Sequence, residues 1–225
     1  MMLERCLQYQ IVLNLRKCIL HAPFGLLLGH VVCHDGILVD PVKVEIFLDL
    51  PPPTSFTQLR STLGHIGYYR KFIRGYAEIT TPMEKLLKKD AKFEWNESFQ
   101  ESLDKLKGKM ATAPILIFQD WKKELHVHVD ASSIALGIVL TQPRDGAIDH
   151  PIAFSSRKLS TTEKNYTTTK REGLAMVYVL QKFRHYLLGG HFKMFTEHSA
   201  LKYLVNKPML GGESAGGSSY FMLDF

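Results

Sequence analysis

Three carboxylates stand out by type and setting: Asp130, Glu172 and Glu197. Asp130 closes the alternating run Leu125-His126-Val127-His128-Val129-Asp130, and Glu197 ends a second run, Phe192-Lys193-Met194-Phe195-Thr196-Glu197. Two carboxylates at strand ends and one on a helix supply the hard oxygen donors that divalent ions take. The chemistry open to such a set is metal-assisted attack of water on a phosphodiester. Glu172 is the sharpest of the three. It shares a helical stripe with Met176, Val179 and Phe183, so it points with the apolar face. A carboxylate there needs a cation, either a metal or a buried Arg or Lys, because burying a lone charge is costly. Glu197, alternating with Lys193 and Phe195, is by itself an ordinary strand-end charge. Small residues follow Asp130 (Ala131-Ser132-Ser133) and leave room beside it, and Gly137 permits a close backbone approach.

Two further groups admit both a functional and an ordinary reading. His126 and His128 share a strand face with Asp130; the polar face of a half-exposed strand accounts for them better than a zinc pair, since spacing supplies no additional His or Cys ligand. Around Gly67–Tyr76 the stripe Tyr69, Phe72, Ile73, Tyr76 predicts a helix packed on a core. Arg70, Lys71 and Arg74 lie on another face, either as a solvated basic side or as a ridge that tracks phosphates. The sequence carries no phosphate-cradling glycine loop, HExxH or GxSxG pattern.

The elements that must hold these groups change period along the chain. Residues 1–40 predict a helix through Leu3, Leu7, Ile11 and Leu15, then strands at Lys17–Leu20, Leu26–Val32 and Ile37–Val39. Asp40-Pro41 starts a helix, Pro51-Pro52-Pro53 stops it, and Thr54 or Ser55 caps the next, to about His65. Thr81-Pro82 opens another helix, and Phe99, Leu103, Leu106 and Met110 mark one more over Asn96–Ala111. Beyond Pro114 the pattern alternates: strands at Leu125–Asp130, Leu136–Thr141 and Ile152–Ser155, with a turn at Arg144-Asp145-Gly146. A long helix over Thr162–Leu188, a strand at 192–196 and a short helix at Ser199–Val205 follow. The order is β-β-β-α-β-α, and the glycine- and serine-rich tail from Gly211 has no period.

The 225 residues suffice for one large or two small domains, and 45% hydrophobic with 22% charged residues is ordinary for a soluble protein. A net charge of +6 permits an anionic partner, nucleic acid foremost. Cys6, Cys18 and Cys33 fit free thiols in a reducing compartment. No signal pattern or membrane-length apolar run occurs, so an intracellular location, cytoplasmic or nuclear, is expected.

Several segments together resemble the Pol polyprotein of gypsy-type LTR retrotransposons of the kind abundant in plants. They are Leu28-Gly29-His30-Val31-Val32, Gly36-Ile37-Leu38-Val39-Asp40-Pro41, Leu59 through Ile73, Ala113-Pro114-Ile115-Leu116, Val129-Asp130-Ala131-Ser132, Asn165-Tyr166, Lys182 through Leu188 and His198-Ser199-Ala200-Leu201-Lys202-Tyr203-Leu204. The resemblance implies an α+β or α/β chain: a helical thumb/connection-like region followed by an RNase H-like mixed sheet with helices. It implies that 1–40 is the end of a reverse-transcriptase palm, 41–117 the thumb/connection-like region, 118–210 the RNase H-like domain and 211–225 an irregular tail. It implies catalytic and metal-binding roles for Asp130, Glu172 and Glu197 around two Mg²⁺ (or Mn²⁺) ions; the candidate nucleic-acid contacts Arg70, Lys71 and Arg74 rest on their clustered charge alone. The substrate implied is the RNA strand of an RNA–DNA hybrid, and the partner is the rest of a Pol polyprotein.

Departures from the family pattern shape the expectation. No Asp-Asp dipeptide occurs, so polymerase activity is not expected of this chain. Glu197 stands where the family has Asp, Gly173 where it has an apolar residue, and the match stops at Gly211 before a fourth Asp, as a frame disruption in a decayed copy would leave it. Impaired nuclease activity is therefore expected. The alternatives are a catalytically silent nucleic-acid-binding module and a remnant without function.

Overall fold

The computed structural model describes residues 2–18, 22–88, 91–144, 148–188, 190–196 and 221–222. Helix α1 (Met2–Gln8) is shorter than expected, because Gln10 takes a positive φ of 54° that ends the turn pattern. Leu15–Lys17 is a 3-10 turn, and Ile19 and Leu20 of the strand expected at Lys17–Leu20 lie outside the described residues. The single strand expected over Leu26–Val32 is two, β1 (Phe24–Leu27) and β2 (His30–Cys33), and β3 (Gly36–Val39) completes an antiparallel sheet. Leu28 and Gly29 both have positive φ (49° and 71°), which makes the two-residue reversal that matches strand twist. A leucine in that region is strained, and its surroundings hold it there. The Tyr68 hydroxyl donates to Leu28 O (2.5 Å), the Tyr69 hydroxyl to Gly29 O (3.0 Å), and His30 Nδ1 to Leu28 O (2.9 Å). Burial, then the Lys71 charge, pushes the His30 pKa down. At Gly36 (φ 145°) a Cβ would lie 2.2 Å from Leu116 O, so only glycine lets Ile37 and Leu116 exchange backbone hydrogen bonds of 2.8 and 2.9 Å.

Helices α2 (Pro41–Leu48), α3 (Phe56–Tyr68) and α5 (Glu97–Ala111) begin where capping residues place them, at Asp40, Ser55 and Asn96. The helix expected across Gly67–Tyr76 is broken. α3 stops at Tyr68, Arg70–Phe72 is a 3-10 turn, and α4 (Tyr76–Leu86) starts after left-handed Gly75. Tyr69, Phe72 and Ile73 are buried all the same, since a 3-10 turn keeps residues three apart on one side. Pro82 lies inside α4 rather than at its start, where the Thr80 and Thr81 hydroxyls donate to the Tyr76 and Ala77 carbonyls (3.0 and 2.7 Å). One apolar cluster, from Val39 and Phe47 to Leu106 and Leu116, joins these helices to β3.

The second sheet has the order β6-β5-β4-β7-β8. Strand β4 (Leu125–Ala131) is antiparallel to β5 (Ala135–Pro143) and parallel to β7 (Phe192–Thr196); β6 (Asp149–Lys158) flanks β5. The expected long helix is three: α6 (Thr161–Lys164), α7 (Thr168–Lys182) and α8 (Arg184–Leu187). Ser160 and Glu163 form a capping box for α6, and extended Thr167 caps α7 anew, so no single helix can run through. In the tail, expected to be irregular, Phe221–Met222 form β8 and pair with Met194 and Lys193 on the edge of β7. Asp145 and Gly146 of the expected turn, Glu197 and the helix expected over Ser199–Val205 lie outside the described residues.

Val127, Val129, Leu140, Met194 and the α7 residues Met176 and Val179 form the second apolar cluster, on one face of this sheet. The opposite face meets α4. The Ala77 amide donates to Ser156 Oγ (2.8 Å), Lys158 pairs with Glu84, and Phe154 packs into the helical cluster. Among the described residues no helix is long and apolar enough to cross a membrane.

Candidate active site

Glu172 is 5% exposed, on the stripe its spacing predicts, with Met176, Val179 and Phe183 buried beside it. Its carboxylate reaches past the core to the carboxyl ends of β4 and β7. Oε1 accepts from the Ala131 amide (3.1 Å) and Oε2 from the Thr196 hydroxyl (3.1 Å). β7 pairs with β4 through Thr196, opposite Val129. The amides of alternate β4 residues face β7, as the Leu125 N–H to His191 O bond shows at the other end. The Ala131 amide thus faces that side beyond the last described pair, and the Glu172 carboxylate takes it. A backbone N–H and a hydroxyl thus orient the carboxylate at this end of the sheet.

Asp130 immediately precedes that amide, pairs across with Gly137 and is exposed. It borders a cavity of about 660 Å³ between the outer sheet face and the start of α4, lined also by Arg74, Glu78, His128, Asp149 and Phe195. The structure therefore brings Asp130 and the Glu172 carboxylate to one end of β4. Asp130 opens on the cavity, and Glu172 arrives from α7. Glu197, which follows Thr196, lies outside the described residues. Gly137 does not serve as a steric necessity: a Cβ there would meet only the Asp130 carbonyl at 3.7 Å, an ordinary contact.

His126 and His128 converge on a residue that spacing did not reveal. His126 Nδ1 lies 2.9 Å from Asp149 Oδ1, His128 Nε2 lies 3.1 Å from Oδ2, and the Thr141 hydroxyl donates to Oδ2 at 3.1 Å. Burial alone would raise the Asp149 pKa. Hydrogen bonds from both histidines, the His126 charge and the Thr141 hydroxyl outweigh it and hold the carboxyl below its ordinary value. The His128 ring stacks on Phe195 (4.8 Å between centroids). Through Asp149 the paired histidines tie β4 to β6.

The three basic residues do not share a helical face, because α3 ends at Tyr68, Arg70–Phe72 is a 3-10 turn and Ile73 is extended before Arg74. Arg70 and Arg74 are exposed. Lys71 is half-buried over the Phe72 ring (5.2 Å), where burial pushes its pKa down. Arg74 alone of the three lines the cavity that Asp130 borders.

Residues 95–194 match the family model of the RNase H-like domain found in reverse transcriptase. The chain is 41% identical over 195 residues to the retrovirus-related Pol polyprotein from transposon 297 of Drosophila melanogaster, covering 86% of this chain and 18% of that protein. With the Pol polyprotein from transposon opus of the same fly it shares 38% over 190 residues, 79% of this chain and 19% of the relative. It thus spans about a fifth of the length of these relatives. The foamy viral protease-reverse transcriptase solved with an RNA/DNA hybrid superposes with a TM-score of 0.75 at 20% identity, over 92% of this chain and 29% of that one. The same protein with double-stranded DNA gives 0.73 at 20% identity, over 89% and 42%. Over residues 95–194 the chain thus carries the RNase H-like domain found in reverse transcriptase, and it corresponds to the reverse transcriptase–RNase H region of retrotransposon Pol polyproteins.

Proposed function

We propose that this stretch of a Pol polyprotein hydrolyses the RNA strand of RNA–DNA hybrids in a reaction that needs Mg²⁺ or Mn²⁺. The observation that carries the reading is the Glu172 carboxylate, buried yet delivered to the amide next to Asp130 at the carboxyl end of β4. Ligands of open α/β sheets bind at such strand ends. The donors fit a hard divalent ion: both are carboxylates, and the Ala131 amide and Thr196 hydroxyl fix the orientation of one of them. Two such ions, when bound, polarise the phosphoryl group and stabilise the attacking and leaving oxygens. Asp130, Glu172 and Glu197 would hold them, and Arg74, on the same cavity, would take a phosphate of the incoming strand. The foamy viral relative bound to an RNA/DNA hybrid supports the choice of substrate.

The finer assignment follows from the same reading. The chain would derive from a gypsy-type element of the kind abundant in plants and act inside the cell. Residues 1–40 would be the end of the palm, 41–117 thumb and connection, 118–210 the RNase H-like domain and 211–225 a tail. Glu197 in place of Asp shifts its carboxylate by roughly 1 Å, and a misplacement of that size lowers rate on the order of a hundredfold. A hybrid-cleavage assay in Mg²⁺ tests this: slow cleavage by the native chain, faster cleavage by Glu197→Asp, and none by Asp130→Asn. Cleavage by Asp130→Asn at the native rate overturns the reading. A second reading, a binding module without catalysis, is favoured by exposed Arg70 and Arg74; it predicts salt-sensitive hybrid binding with no cleavage by any variant.

A further inference from the structure

Arg171 and Glu172 are consecutive on α7, where side chains diverge by about 100°, yet they reach adjacent residues where β4 leads into the turn to β5. Glu172 takes the Ala131 amide, and Arg171 Nη1 donates to the Ser132 carbonyl at 2.8 Å. Between them they grip both ends of the Ala131–Ser132 segment that follows Asp130. The turn is knitted from within as well: Ser132 Oγ accepts from the Ile134 and Ala135 amides (3.3 and 3.0 Å) and Ser132 N donates to Ala135 O (2.9 Å). It is therefore rigid on its own terms, and Arg171 decides where the rigid unit sits relative to the helix.

The remaining bonds of Arg171 are poor. Nη2 donates to Thr168 Oγ1 at a long 3.4 Å, and Nε is buried with no hydrogen-bond partner among the described residues. A buried N–H left unpaired opposes folding by about as much as a good hydrogen bond contributes. Arg171 thus adds little net stability, which separates its role from that of an ordinary structural arginine.

We propose that Arg171 is a positioning residue: its bond to Ser132 O fixes where Asp130 stands relative to Glu172, the two carboxylates that would hold a divalent ion. The metal part of this statement rests on the proposed nuclease reading; the positional part does not. The guanidinium's own charge works against a nearby cation, so charge and position predict opposite results on removal.

The test uses the full chain and three variants, Arg171→Met, Arg171→Lys and Asp130→Asn, with Mn²⁺ binding read by electron paramagnetic resonance, melting temperature, and amide exchange at Ala131 and Ala135. Arg171→Met is expected to bind Mn²⁺ about tenfold more weakly, to melt within about 2 °C of the native chain and to exchange faster at Ala131. Arg171→Lys, able to reach Ser132 O with one donor, restores part of both. Unchanged or tighter Mn²⁺ binding by Arg171→Met overturns the proposal, as does Ala131 exchange at the native rate. If the native chain binds no Mn²⁺, or Asp130→Asn binds it equally well, the nuclease reading fails, and accelerated exchange in Arg171→Met still upholds the positional role.

Discussion

Glu172 is the residue on which site and core meet, and its replacements separate the two. Glu172→Leu fills the stripe above Met176 but leaves the Ala131 amide and the Thr196 hydroxyl without this acceptor. Losing a hydrogen bond to a charged acceptor costs about 1–3 kcal/mol, and both donors are only half-buried, so urea unfolding of Glu172→Leu should show a loss of about 1 kcal/mol. Glu172→Gln keeps one acceptor oxygen and is expected to lose less than half as much, while both abolish hybrid cleavage. Equal stability of the Leu variant and the native chain would falsify the view that these bonds hold the site. Glu172 was legible because helical spacing fixed which face it shares. Asp149 was not: it meets His126 and His128 across 23 and 21 residues of sequence, through a strand register that includes a shift at Leu140/Thr141. No local period encodes such a contact. Arg171 was equally hidden, since its significance lies in one carbonyl of a turn 39 residues away.

At the scale of elements, boundaries follow caps where caps exist. Asp40, Ser55 and Asn96 could be found in the sequence because each is an oxygen-bearing residue before an apolar run. The break between α3 and α4 escaped because it lies in backbone conformations, extended Ile73 and left-handed Gly75, and the 3-10 turn before them keeps the buried spacing of a helix. The capping box between β6 and α7 carries a pH signature. Arg157 forks onto Glu163 (Nη1 to Oε2 2.9 Å, Nη2 to Oε1 3.0 Å), and the Ser160 amide donates to Oε2 (2.7 Å). These bonds, the arginine's first, pull the Glu163 carboxyl down to about 2. A carboxyl whose folded pKa is depressed adds stability that is complete above its unfolded value, near 4.5, and is lost as pH falls through about 2. Glu163→Gln should therefore be less stable than the native chain at pH 6, by about 1 kcal/mol because Arg157 is partly open to solvent. The gap should close between pH 4.5 and 2, read by urea midpoints at each pH. A gap that stays constant over that range would exclude the box as the origin of the acid sensitivity.

Across the whole molecule, two apolar clusters share one chain and meet at a largely polar seam. The Ala77–Ser156 hydrogen bond and the Glu84–Lys158 pair line the seam, and Phe154 of β6 crosses it into the helical cluster. Half-exposed ion pairs contribute about 0–1 kcal/mol, whereas truncating a packed phenylalanine costs about 3–5 kcal/mol when buried and less when, as here, it is partly exposed. Of these three contacts Phe154 then carries most of the coupling. The two tryptophans make this measurable: Trp95 packs between Phe93 and Phe99 on the helical cluster, while Trp121 is exposed beside the sheet. In the native chain, Trp95 fluorescence (recorded with Trp121→Phe) and far-UV circular dichroism should unfold together in urea, as one cooperative unit does. Phe154→Ala should split them, the Trp95 signal moving to lower urea while the sheet persists. Glu84→Ala should leave them coincident. Since Arg74 and Asp130 border one cavity from the two sides of this seam, Phe154→Ala should also weaken hybrid binding without touching either residue. A variant that unfolds in one step and binds as the native chain does would show that the cavity is set within each cluster and not by their packing.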